Sequence, residues 1–252
     1  MNTILSLYIF ITGTILGSFY NVVGLRLPQN ISFTNSRSAC PQCSTTLQAR
    51  DLIPLFSYLL SKGKCRHCQG KIPVAYPLVE LITGGLFLYA YLTFGWSADL
   101  LGALLLLSLA VIVTVSDLKY MVIPDRLLLF FGAAFLGFRY IKPLDPWYSS
   151  VLGAVAGFVL IFLIILISRG GMGAGDMKLL GVLGILLGFK MTMLTFFLAT
   201  LIGTCVSLIL LSTGIIGRKD PFPFGPSIMA GAVISYFYGQ DLLSFYMDHF
   251  FI

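Results

Sequence analysis

No charged residue occurs between Thr3 and Leu25. At about 1.5 Å of rise per residue, a helix over that stretch crosses the roughly 30 Å of bilayer hydrocarbon. In hydrocarbon every backbone amide must be satisfied within the protein, so only helices and closed barrels span it. Further apolar runs follow at 78–95, 99–116, 121–140, 150–168, 177–189, 191–213 and 225–239, with short polar or glycine-bearing breaks between them. The pattern predicts an all-α integral membrane protein with about eight transmembrane helices. The run 177–189 is short for a bilayer, so it must stand nearly upright, thin the membrane or extend into its flanks.

Composition excludes the main alternatives. Hydrophobic residues are 58% of the chain and charged residues 10%, against about 45–50% and about 25% in soluble domains. With 14% aromatics the chain carries far more apolar surface than a disordered polar one. The net charge of +6 sits mostly in one segment and between apolar runs, the way membrane topology uses positive charge, so no nucleic-acid partner is expected. The first run reads as an uncleaved helix: Met1-Asn2-Thr3 supplies no basic start and no Ala-x-Ala precedes Arg26.

Residues 26–77 differ in character. Seven basic residues, Arg26 to Lys71, face only Asp51, and four of the five cysteines lie here. The chain therefore divides into a first helix (1–25), a small water-exposed insertion (26–77) and a polytopic domain (78–252). Placing 26–77 in the cytoplasm gathers thirteen of the 16 Lys and Arg residues on that side and leaves Arg139, Lys142 and Lys190 outside. The positive-inside rule selects that orientation, and an even number of spans puts both termini outside.

Two Cys-x-x-Cys hooks, Cys40-Pro41-Gln42-Cys43 and Cys65-Arg66-His67-Cys68, have the spacing of a zinc ribbon or knuckle, in which four thiolates close a tetrahedral shell. Disulfides and a redox pair are the other uses of such cysteines. A reducing cytoplasm disfavours the first and the lack of a βαβ context the second. Four protein ligands leave no open position, so the metal would be structural. It would staple a segment too poor in apolar residues to fold unaided. His67 reads as a solvated neighbour and Cys205 as a buried small hydrophobe.

Asp117 ends one apolar run and Asp176 opens another, both at the cytoplasmic edge and each two residues before a lysine, Lys119 and Lys178. Ionisable groups at that depth are functional candidates. Two carboxylates at one site can share a proton, one acting as base on water while the other polarises a carbonyl. Each could instead simply punctuate a helix end at headgroup level. The glycines at 170, 171, 173 and 175 favour the site reading, because backbone beside Asp176 can approach a substrate closely. A phosphate loop is excluded, since no strand precedes the glycines and no Lys-Ser/Thr follows in register.

Thr14, Gly17, Ser18 and Asn21 form a small, polar stripe on the first helix, suited to close packing, with a methyl-donor or substrate contact as the alternative. Glu80, at the cytoplasmic start of the second span, suits the helix dipole or a substrate amine. The aromatic tail from Phe237 to Phe251 is expected at the outer interface.

Gly173-Ala174-Gly175-Asp176 matches the Gly-x-Gly-Asp motif of intramembrane aspartyl proteases. The chain resembles the type IV prepilin peptidase family in a series of motifs. They are Gly17-Ser18-Phe19-Tyr20-Asn21 with Arg26-Leu27-Pro28, the two cysteine hooks, Tyr76-Pro77-Leu78-Val79-Glu80, Asp117 with Ile123-Pro124-Asp125, Asp176-Met177-Lys178, and Pro223-Phe224-Gly225-Pro226. Tyr20 stands where many members have Leu. The resemblance implies a multi-pass protein of the bacterial inner membrane that cleaves basic leaders from prepilins or pseudopilins, after a glycine, at the cytoplasmic face. It implies that Asp117 and Asp176 are catalytic. Asp125 matches the later Asp of that segment and reads first as a helix N-terminal acid after Pro124, with a supporting role as the alternative, while Gly173, Gly175, Lys178, Glu80 and Asn21 are candidates to support the site or contact substrate. Many members also methylate the new amino terminus with S-adenosylmethionine, which makes that a second candidate activity and cofactor beside structural zinc. An ion-coupled transporter or assembly scaffold is the reading from another class. Transporters often carry matched broken helices in two halves, and here only 169–178 looks broken.

Overall fold

Helix α1 (Thr3–Arg26) packs on α3 (Ala75–Phe94) through Gly13 and two residues of the stripe, Thr14 and Gly17. A methyl added to Gly13 would lie 2.8 Å from Gly84 Cα, and one added to Gly17 would lie 2.8 Å from Thr83 Cβ. The two backbones therefore meet directly, as small residues permit in membranes. Thr14 and Asn21 are buried on the same face. Hydroxyls that would be orphaned there bond within their own helices, Thr14 to the Ile11 carbonyl and Thr83 to the Val79 carbonyl.

The computed structural model describes residues 3–32, 38–40, 42–168, 171–217 and 220–250, and the chain divides into two compact units, 1–115 and 116–252. Arg37, Pro41, Arg169, Gly170, Arg218 and Lys219 lie outside the described residues. The remaining helices are α2 (Phe56–Leu60), α4 (Ala98–Tyr120), α5 (Asp125–Ile141), α6 (Ser149–Ile167), α7 (Ala174–Ser212) and α8 (Gly225–Phe250). The unit boundary falls inside α4. Among the described residues there is no strand beyond two isolated bridges.

In the second unit α6 and α7 cross at glycines. A methyl on Gly153 would sit 2.6 Å from the Gly184 carbonyl oxygen, and one on Gly157 would sit 2.8 Å from that of Leu180. Phe135, Ile161, Leu179, Leu183, Leu186 and Met229 are fully buried in this unit. Helix α7, at 39 residues, is far longer than a bilayer is thick, and it breaks at Gly188 (φ 74, ψ 175). Positive φ is accessible to glycine without steric penalty. The break frees backbone groups that the surroundings then satisfy. The Arg139 guanidinium donates from Nε to the Leu186 carbonyl at 2.8 Å and again from Nη2, while Phe189 N–H donates to Ser149 Oγ at 3.2 Å.

The structure adjusts several expectations. The α7 break falls at Gly188 rather than at Phe189-Lys190, and α4 continues through Asp117-Leu118-Lys119 to Tyr120. Among the described residues, five helices are long and apolar enough to cross a membrane: α1, α3, α4, α6 and α7. Helix α5 has only 17 residues and charged ends, and α8 runs past residue 239 into a polar stretch containing Gln240, Asp241 and Asp248. The expectation of eight spans divided α7 into two and counted α5 and α8, neither of which is among the five. Cys205 is exposed, not buried, because it lies on an outward face of α7.

Candidate active site and metal centre

The two cysteine hooks fold alike. Cys40 N–H donates to the Thr45 carbonyl and Ser44 N–H to the Cys40 carbonyl; Cys65 N–H donates to the Gly70 carbonyl and Gln69 N–H to the Cys65 carbonyl. Leu47 N–H to the Ser38 carbonyl and Ile72 N–H to the Gly63 carbonyl close the two loops at equivalent places. Ser44 (φ 56) and Gln69 (φ 58) occupy the left-handed region at the same position of each. The sequence shows no repeat of fixed period, yet its two knuckles are one backbone motif used twice.

This arrangement brings Cys40, Cys43, Cys65 and Cys68 together with all four sulfurs within 4.8 Å of one another. Cys40 Sγ and Cys68 Sγ are 3.8 Å apart. That is far beyond a disulfide bond of about 2.04 Å. It matches the edge of a tetrahedron of sulfurs drawn around a metal at about 2.3 Å. Hydrogen bonding with Thr45 pulls the Cys43 thiol down to about 6, and the Cys68 and His67 amides lower that of Cys65. The Gly70 amide pulls on Cys68 in the same direction, but desolvation and the other sulfurs outweigh it and leave Cys68 at about 11. Clustered thiolates repel one another, and a bound cation relieves that repulsion. The four cysteines can hold a metal ion. His67 is exposed beside them.

Asn21 and Glu80 lie in the same unit as the cysteines, both buried. Helix α3 begins at Ala75, so Glu80 stands beyond its first turn. Glu80 Oε2 accepts a hydrogen bond of 2.9 Å from Leu55 N–H, which fixes the insertion to the helix. Tyr20, also buried, shares a 2.7 Å hydrogen bond with Ser108 Oγ.

The other candidates gather in the second unit. Asp117 is 5% exposed in the last turn of α4. Met121, at φ 54, ends that helix and donates its N–H to the Asp117 carbonyl. The chain then runs through Ile123 and the extended Pro124, which lacks an N–H and starts α5 at Asp125. Asp176 is 8% exposed in the first turn of α7. Extended Gly173 caps that helix, and the Asp176 carboxylate folds back to accept a hydrogen bond from the Gly173 backbone. This is the reach-back geometry of a capping box. A methyl on Gly173 would lie 3.2 Å from Asp176 Oδ2, and one on Gly175 would lie 3.2 Å from Ile123 Cβ.

Ile123 thus packs over Gly175 and sets the start of α5 beside the start of α7. Lys178 Nζ closes the join, 2.8 Å from each carboxylate oxygen of Asp125. Both partners are largely exposed, so the pair contributes no more than about 1 kcal/mol. The two buried aspartates are near enough for the charge of Asp117 to act on Asp176.

One residue escaped the sequence reading as a site residue. Gly225 N–H donates to Asp117 Oδ2 at 2.9 Å in a buried setting. It is the first residue of α8, where the amide has no acceptor within its own helix. A methyl at this glycine would sit 2.8 Å from that same oxygen. The signal was present in Pro223-Phe224-Gly225-Pro226, but a glycine offers no side-chain chemistry to recognise. Each buried carboxylate is therefore held by the amide of a glycine at a helix start: Asp117 by Gly225 and Asp176 by Gly173. Such a pair can accept and return a proton in a water-poor place.

Comparison with known proteins agrees with these features. Residues 11–94 match the Bacterial Peptidase A24 N-terminal domain, and residues 104–208 match the Type IV leader peptidase family. The prepilin leader peptidase/N-methyltransferase of Bacillus subtilis (strain 168) is 44% identical over 239 residues, covering 95% of this chain and 96% of that protein. The protein of the same name from Neisseria gonorrhoeae is 33% identical, covering 86% of this chain and 85% of its own length. That from Aeromonas salmonicida (strain A449) is 32% identical, with coverage of 95% and 93%. No solved structure matches the chain. By its motifs and by relatives aligned along nearly its whole length, this multi-pass membrane protein belongs to the type IV leader peptidase family.

Proposed function

We propose that the chain is a membrane aspartic endopeptidase that removes the leader of type IV prepilins or pseudopilins after a glycine, with Asp117 and Asp176 as the catalytic pair. The observation that carries this reading is the pair of buried carboxylates, each held by a glycine amide at a helix start. The two share one proton. The ionised partner takes a proton from water as the water oxygen bonds to the carbonyl carbon, and the protonated partner gives its proton to the carbonyl oxygen. When the tetrahedral intermediate collapses, the C–N bond breaks, the carboxyl that took the water proton passes it to the departing amine, and the other recovers its own. Asp125 and Lys178 support the start of α7, which carries Asp176.

Zinc on Cys40, Cys43, Cys65 and Cys68 would have a closed sulfur shell and would hold the 26–77 insertion together without entering the hydrolysis. The names of the relatives, together with the motifs, support methylation of the new amino terminus with S-adenosylmethionine as a second activity. The bacterial relatives support an inner-membrane location, and the charge distribution supports placing the insertion and both aspartates at the cytoplasmic face.

The test is incubation of the purified chain with a prepilin and S-adenosylmethionine, followed by product mass and amino-terminal residue. The expected product has lost its leader after the glycine and gained the mass of one methyl group. Loss of the leader without that gain would leave the peptidase and remove the methylation. An uncleaved prepilin in the presence of the folded chain would remove both.

Gly225→Ala places a methyl against Asp117 and should turn its carboxylate out of register. Misplacing a reacting group by about 1 Å lowers rates by about 100-fold, and cleavage should fall on that scale with KM little changed. Gly231→Ala, whose methyl would meet the Thr195 carbonyl at 2.7 Å, strains the α7–α8 contact without touching either aspartate. It should lower thermal stability while the folded enzyme keeps its turnover. Equal turnover in the two variants would remove the role given to Gly225.

A further inference from the structure

Helix α2 is amphipathic in the inverted sense. Ser57, Tyr58 and Ser61 line a cavity of about 230 Å³ together with Ser18, Val22 and Leu25 of α1. Phe56, Leu59 and Leu60, spaced as one helical face, point outward and are 66%, 70% and 75% exposed. A segment folded for water does the reverse, and so many large apolar side chains turned outward together mark a contact surface.

Its depth says what it contacts. Leu55 N–H bonds to Glu80, and the Glu80 Cα lies against Gly17 of α1, 3.0 Å from where a methyl on that glycine would be. Gly17 precedes Arg26, the first charge of α1, by nine residues, or roughly 13 Å of helix. Even allowing for the reach of the Glu80 side chain, α2 starts alongside the apolar final turns of α1 rather than beyond their end. Ile15 and Phe19 of α1 and Leu78, Leu81 and Ile82 of α3 are exposed in the same zone. The outward face of α2 thus starts at a depth where two membrane-spanning helices expose apolar side chains. Exposed Lys62 and Lys64 follow directly, placed to meet anionic headgroups.

We propose that α2 is an interfacial anchor: Phe56, Leu59 and Leu60 enter the acyl-headgroup boundary of the leaflet nearest the cysteine cluster. The anchor holds the metal-stapled insertion down on the bilayer instead of leaving it free in water. It needs neither peptidase nor methyltransferase activity.

The full chain, with Trp96 and Trp147 changed to Phe, is reconstituted in phosphatidylcholine vesicles and given one reporter at a time: Phe56→Trp, Leu59→Trp, or Thr46→Trp as an exposed control on the first knuckle. Anchors of this kind bury about 5–10 Å into the headgroup boundary, so lipids brominated near the headgroup end of the acyl chain should quench the α2 reporters by about half. Aqueous iodide should quench them roughly three-fold less than the control, as expected for a face withdrawn from water. Iodide access equal to the control would overturn the anchor. Shielding from both quenchers would overturn it too, by showing that protein covers the face. The two α2 reporters are independent, so failure of either one to fold leaves the other to decide.

Discussion

Asp117→Asn and Asp176→Asn should each lower prepilin cleavage by at least about 10³-fold, since general acid–base groups typically supply 10²–10⁴ and loss of either partner disables both roles. Asn keeps the size of the side chain and an oxygen for the Gly225 or Gly173 amide, so both variants should insert, retain metal and bind prepilin. Asp125→Asn breaks only the exposed pair with Lys178; an interaction of at most about 1 kcal/mol limits the loss to about five-fold. Cleavage is read as single-turnover rate on a prepilin with a native leader. A folded Asp117→Asn or Asp176→Asn enzyme with near-normal rate would return the transporter or scaffold reading to first place.

The second large effect concerns the metal. Cys40→Ser, Cys43→Ser, Cys65→Ser or Cys68→Ser should drop zinc from one ion per chain to below about one tenth, because three thiolates on two knuckles no longer close the shell. Zinc binding in small domains is folding free energy, on the order of 10 kcal/mol, so the 26–77 segment should become protease-sensitive while the helices resist. Cys205→Ser, on an exposed face of α7, should leave metal content unchanged. Metal analysis and limited proteolysis read both outcomes, and full zinc content in Cys40→Ser and Cys65→Ser would defeat the assignment.

How much of this was legible in the sequence depends on where the information resides. The cysteine hooks and the paired aspartates announce themselves, because ligands and acids are side chains at telling spacings. The Thr14-Gly17-Ser18-Asn21 stripe pointed to close helix packing, which the structure places against α3, but it could not name that partner. The identity of the two knuckles was hidden: it lies in backbone hydrogen bonds and in the left-handed conformations of Ser44 and Gln69, residues that carry no glycine signal. Gly225 was hidden for the same reason, since it acts through its amide. Glu80 lies in the second turn of its helix rather than at the start, because α3 begins at Ala75, before Pro77, and proline is tolerated in a first turn. The outward face of α2 was lost in the average composition of a basic, proline-rich segment, where three large apolar residues look too few to matter until their direction is known.

The shared proton of the aspartate pair is tested most directly by the pH dependence of kcat/KM for the purified, metal-loaded chain in lipid. A proton-sharing pair gives a bell-shaped profile with two apparent pKa values that belong to the pair rather than to either residue. Brief treatment with a chelator should leave that profile in place. A profile with a single inflection across the stable pH range would contradict it, because one titrating group would then suffice.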